Sequence, residues 1–126
     1  MKNLLILTSL IELSLGIALV ILPGEVIKLL FGNSETGSII VLARFTGIVF
    51  VCFSIACFPS RNSSDLNISS PVFRAMFLYN FLAAVYLGYM RFTENFDGVI
   101  LLPAAILHSI ITIYFIYIFQ KNKLSA

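Results

Sequence analysis

The stretch Ser38–Phe58, SIIVLARFTGIVFVCFSIACF, decides how the rest of the chain is read. It is about twenty residues long and almost wholly apolar, the length at which an α-helix crosses a hydrocarbon core roughly 30 Å thick. It also carries a guanidinium, Arg44, within the apolar run. Placing arginine at mid-depth in lipid costs about 2.5–3.5 kcal/mol on insertion scales. The side chain must therefore reach a headgroup interface or face other helices.

The composition agrees with a membrane medium. Of 126 residues, 60% are hydrophobic and 11% charged. Soluble domains sit near 45–50% apolar and about 25% charged. The chain has room for four spans with short connections, and residues 1–126 read as a single integral membrane domain. A net charge of +2, without a basic patch interleaved with aromatics, argues against nucleic acid as a partner. Cys52 and Cys57 are five residues apart, about 140° around a helix, so they cannot bridge within it. Both are expected to be buried as small apolar side chains.

Outward from that stretch, the first span is expected at about 3–22, uncleaved because it contains Glu12 and no A-x-A site follows. Pro23 suits a helix start and Gly32 a helix stop, so a short amphipathic helix from Glu25 to Phe31 should lie in the headgroup region. The alternative is an extension of the first span beyond a kink. A polar turn occupies 33–37, and the second span 38–58. A Ser- and Asn-rich loop bounded by Pro59 and Pro71 holds two N-x-S sequons, at Asn62 and Asn67. The third span is expected at about 72–90 and the fourth at about 99–119, with Pro103 as a tolerated kink. The fold class is all-α: a transmembrane four-helix bundle with a short interfacial helix after the first span.

Orientation follows from the basic residues. Lys2, Arg61, Arg74, Lys121 and Lys123 fall on one side, Lys28 and Arg91 on the other. Both termini should thus be cytoplasmic, and neither sequon glycosylated.

Each span holds two small residues four apart: Ser14 and Ala18, Ala43 and Gly47, Ala84 and Gly88, Ala105 and Ser109. Such pairs let helices approach closely in lipid. Polar residues fall near the same faces, which makes Glu12, Arg44, Asn80 and His108 the candidate interior cluster. At 1.5 Å per residue, Asn80, Glu12 and His108 lie about 12–15 Å from the cytoplasmic edge, and Arg44 about 9 Å from the outer one. Glu12 is expected to meet Asn80, and His108 to bridge toward Arg44. Each has a plainer role as well. Arg44 can snorkel, Glu12 can be a protonated carboxyl bonded to another helix, Asn80 can be interhelical glue, and His108 a satisfied interior imidazole. The tyrosines, Tyr79 among them, read as packing and interface aromatics.

Pro23 with Leu29-Leu30-Phe31-Gly32, Ala43-Arg44 with Gly47, Tyr79-Asn80, and Leu102-Pro103 followed by His108 resemble a group of small four-span bacterial inner-membrane proteins. In layout alone the chain is similar to DoxX-like proteins. The resemblance implies a bacterial cytoplasmic membrane and carries no activity with it.

No phosphate loop, nucleophile elbow, CxxC or zinc pattern is present in the sequence. The leading expectation is a non-enzymatic membrane protein without a cofactor. It would act as a partner subunit or a bundle holding a small ligand or lipid, either in a homo-oligomer or with a membrane protein partner. The alternatives are a proton-coupled carrier using the polar cluster, and an oxidoreductase component binding quinone or haem at His108.

Overall fold

The computed structural model describes residues 2–32, 37–60 and 70–124. It contains five helices: α1 (Lys2–Ile21), α2 (Pro23–Phe31), α3 (Ser38–Ser60), α4 (Pro71–Phe92) and α5 (Leu101–Leu124). All but α2 are long and apolar enough to cross a membrane. The sequons at Asn62 and Asn67 and most of the polar turn lie outside the described residues.

Local chemistry sets the helix ends. Between α1 and α2 only Leu22 leaves helical geometry, and Pro23 opens α2 at its first position, where a missing N–H costs nothing. Gly32 closes α2 in the left-handed region at φ 82°, its N–H donating to the Lys28 carbonyl at 2.8 Å. Ser70 caps α4, its hydroxyl accepting from the Phe73 N–H at 3.3 Å. The last long helix begins at Leu101, because residues 98–100 form a turn closed by the Leu101 N–H on the Gly98 carbonyl at 3.0 Å. Pro103 is therefore the third residue of α5. Its N–H would have no helical acceptor there, so it produces no kink.

The long helices associate as two antiparallel pairs, α1 with α3 and α4 with α5. In the first pair Gly16 faces Gly47. A Cβ on Gly16 would lie 2.8 Å from the Gly47 carbonyl, and one on Gly47 would lie 2.7 Å from the Gly16 carbonyl. Backbone thus rests on backbone, the closest approach two helices can make. Two turns away Ser9 and Ser54 continue the seam, both buried, with hydroxyls that find no partner among the described residues. The expected small pairs are only partly used. Gly47 and Ala105 are buried, but Ser14 is exposed and Gly88 has nothing within 4 Å of where its Cβ would be.

The two pairs meet in the half of the bundle that holds the start of α1. Leu4, Leu5, Cys57, Phe73, Met76, Ile111, Phe115 and Ile118 form one buried cluster drawn from all four long helices. Phe73 lies edge-on to Phe115 and Phe119, at 4.8 and 5.2 Å between ring centroids. In lipid such contacts stabilise through dispersion and ring geometry rather than expelled water. Cys57 belongs to this core, but Cys52 is exposed on α3, against expectation; both are free thiols.

At the opposite end α2 touches α1, α3 and α5. It is tied to the turn before α5 by the Ile100 N–H, which donates to the Leu29 carbonyl at 3.0 Å. Phe31 packs edge-on to Phe96 at 5.4 Å, and Gly98 abuts the Leu30 carbonyl so closely that no side chain fits there.

The Gly16–Gly47 crossing yields the first prediction. Gly16→Ala and Gly47→Ala should each destabilise the fold by about 1–3 kcal/mol, since overpacking forces the helices apart. Gly88→Ala should change stability by no more than about 1 kcal/mol, in the stabilising direction if at all. Reversible unfolding in detergent micelles checks all three, and equal losses at the three sites would contradict the crossing.

Candidate functional site

Midway along the bundle, polar side chains occupy the border between the packed half and a hollow one. Glu12 on α1, Asn80 on α4 and His108 on α5 are all buried, at 1%, 0% and 6% exposure. Hydrocarbon offers polar groups no partners, so each must find one inside the protein. Tyr79 donates its hydroxyl to Glu12 Oε2 at 2.8 Å. Asn80 Oδ1 lies 2.9 Å from His108 Nδ1, while Asn80 Nδ2 donates to the Met76 carbonyl of its own helix at 2.8 Å. The Tyr79 ring stands edge-on to the imidazole, with centroids 5.7 Å apart and planes at 87°. Glu12, Tyr79, His108 and Asn80 thus form one continuous group linking α1, α4 and α5.

The partners differ from those expected on depth alone. Glu12 meets Tyr79 rather than Asn80, and His108 meets Asn80 rather than bridging to Arg44. Arg44 is not part of the group: it is exposed, and among the described residues it makes no hydrogen bond or ion pair. Its neighbour Ala43 faces the interior. At 100° per residue Arg44 lies about 140° around α3 from the inward stripe through Ile39, Thr46 and Phe50. Tyr79 is the member that sequence reasoning missed. Its position beside Asn80, level with Glu12, was the available signal.

Beyond this polar group the bundle opens. α3 and α4 keep their backbones apart, and only side chains cross between them: Phe50 and Phe53 each lie 5.8 Å from the Tyr79 ring. The space is a cavity of about 630 Å³ roofed by α2. Its walls are apolar, with Leu19, Ile27, Leu42 and Leu82 among them, and Tyr79 and His108 form its deep end. Leu42, Leu82 and Tyr86 are also exposed on the outer surface, so the cavity is open sideways between α3 and α4. Ala43, Ala83 and Ala104 line it with side chains too small to fill it.

Within the group the Tyr79 hydroxyl and the Asn80 amide both donate, to Glu12 and to the Met76 carbonyl. Among the described residues no three His, Cys, Asp or Glu side chains come together as a metal set.

The Tyr79–Glu12 bond supplies a second prediction. Hydrogen bonds between membrane helices contribute about 0.6 kcal/mol on average and up to about 1.7. A double-mutant cycle of Tyr79→Phe with Glu12→Ala, read from unfolding in micelles, should give a coupling energy of about 0.6–1.7 kcal/mol. A coupling near zero would remove Tyr79 from the group.

No family model, curated protein or solved structure matches this chain.

Proposed function

We propose that this integral membrane protein is a non-enzymatic bundle that holds a small apolar or lipid-like molecule between its helices. The cavity carries that reading. At about 630 Å³ it falls within the roughly 300–1,000 Å³ range of small-molecule sites, and like them it is apolar with a few convergent polar groups. Its side opening faces the region where acyl chains would lie, so an occupant could enter from the bilayer.

We also propose, on the resemblance alone, a bacterial cytoplasmic membrane, with both termini on the cytoplasmic side as the distribution of basic residues favours. The packed half then lies toward the cytoplasm, and α2 with the cavity toward the outer surface. Arg44, about 9 Å along α3 from Ser38, snorkels to the outer headgroups from the face turned away from the cavity.

Occupancy can be read directly. Native mass spectrometry of the protein released gently from membranes should show a co-purifying adduct of lipid or small-molecule mass. Ala83→Trp, which puts an indole into the cavity, should remove most of that adduct while the protein still folds. Retention of the full adduct by a folded Ala83→Trp would rule out the cavity as its location. Topology is tested separately: reporter fusions at both ends should report the cytoplasm, and a periplasmic signal from either end would overturn the orientation.

A further inference from the structure

The hydrogen-bond pattern at the deep end of the cavity narrows the kind of molecule it would take; this step rests on the reading of the cavity as a ligand site. Four polar side chains line the cavity: Thr46, Tyr79, Tyr86 and His108. Three of them have already committed their protons. Thr46 donates its hydroxyl to the Leu42 carbonyl at 2.9 Å. Tyr79 donates to Glu12 at 2.8 Å. Each oxygen keeps only lone pairs for a visitor.

His108 is settled by the amide beside it. The Met76 carbonyl can only accept, so the Asn80 atom 2.8 Å from it must be the NH₂ group. That leaves Oδ1 facing His108 Nδ1 at 2.9 Å, and an amide oxygen can only accept. Nδ1 therefore carries the ring proton, and in a neutral imidazole Nε2 is then an acceptor. A second ring proton would point into an apolar space with nothing to receive it. Nε2 makes no hydrogen bond among the described residues, yet it is not among the sealed-off polar atoms of the interior. Because His108 lines the cavity, this nitrogen opens onto it.

The deep end is thus lined with acceptors and offers no donor. Tyr86 stands apart: it lies two turns, or about 10 Å, along α4 from Tyr79 and is 57% exposed at the mouth. We infer that the cavity selects apolar molecules that end in a hydrogen-bond donor, such as a long-chain alcohol or an alkylphenol. The donor would be held at His108 Nε2 and the chain would lie toward the gap between α3 and α4. An ether or ester end would meet only lone pairs. A carboxylate or phosphate end would add charge to the same mismatch beside Glu12.

The test compares matched probes on the wild-type protein in phosphatidylcholine nanodiscs. A diazirine-bearing dodecanol, its methyl ether and the corresponding dodecanoate are photolysed in parallel, and the labelled residues are mapped by mass spectrometry. The alcohol should label cavity residues such as Leu82 and Ala83 at least about fivefold more than either relative, the ratio that one hydrogen bond of about 1 kcal/mol provides. Equal labelling of the cavity by alcohol and ether would overturn the donor inference while leaving the cavity as a ligand site. Failure of all three to label the cavity would overturn the underlying reading as well.

A second measurement needs no variant. The chain has one histidine, so ring ¹⁵N spectra of histidine-labelled protein report His108 alone. They should show the neutral Nδ1-protonated form, with the Nε2 signal moving on addition of dodecanol and not of dodecyl methyl ether. An Nε2-protonated ring would overturn the inference. His108→Phe should abolish the preference for the alcohol without reducing labelling by the ether.

Discussion

Hydrocarbon has no hydrogen bonds to offer, and this architecture turns on that fact. A carboxyl, a carboxamide and an imidazole sit within helices that are otherwise mostly apolar. Exposed to lipid, each would cost several kcal/mol. Paired inside, they fix how α1, α4 and α5 are rotated about their own axes, because only one rotation of each helix brings Glu12 to Tyr79 and Asn80 to His108. Apolar contacts between helices could not specify this, since Leu against lipid and Leu against Leu are nearly equivalent. The polar pairs set the register, and dispersion forces then fill in around it.

The bundle is uneven along its length for the same reason. On one side of the polar group large side chains interlock, with Phe73 and Phe115 at the centre. On the other, alanines at 43, 83 and 104 leave a void that the neighbouring leucines do not close. The glycine crossing of α1 on α3 holds those two helices together across the level where the void begins. Such space is sustained by the packed elements around it rather than by contacts of its own.

Much of this was legible in the chain. Length and hydropathy define the spans, and Pro23 and Gly32 bracket α2. Depth counting put Glu12, Asn80 and His108 on one level. Rotation about the helix axis was not legible. α3 is apolar nearly all round, so its pattern does not say which face turns inward; Gly47 three residues on points Arg44 to the interior, whereas the structure leaves it exposed. The exposed Cys52 is subject to the same ambiguity. Tyr79 was overlooked because a tyrosine in a membrane helix usually marks the interface, whereas this one extends its hydroxyl to a carboxyl on another helix. The cavity could not be read at all: a void belongs to the spacing between helices, and small residues signal close approach as readily as they signal a gap.

The clamp between α2 and the start of α5 has a bearing on traffic. With the Leu29 carbonyl held by the Ile100 N–H, and Gly98 seated against Leu30, the roof is pinned at its far end to the turn before α5. On the proposed reading of the cavity, the side opening between α3 and α4 lets a resident molecule come and go in the plane of the membrane. Its residence time would then respond to acyl-chain order and lateral pressure, and hardly at all to what is dissolved in the water on either side.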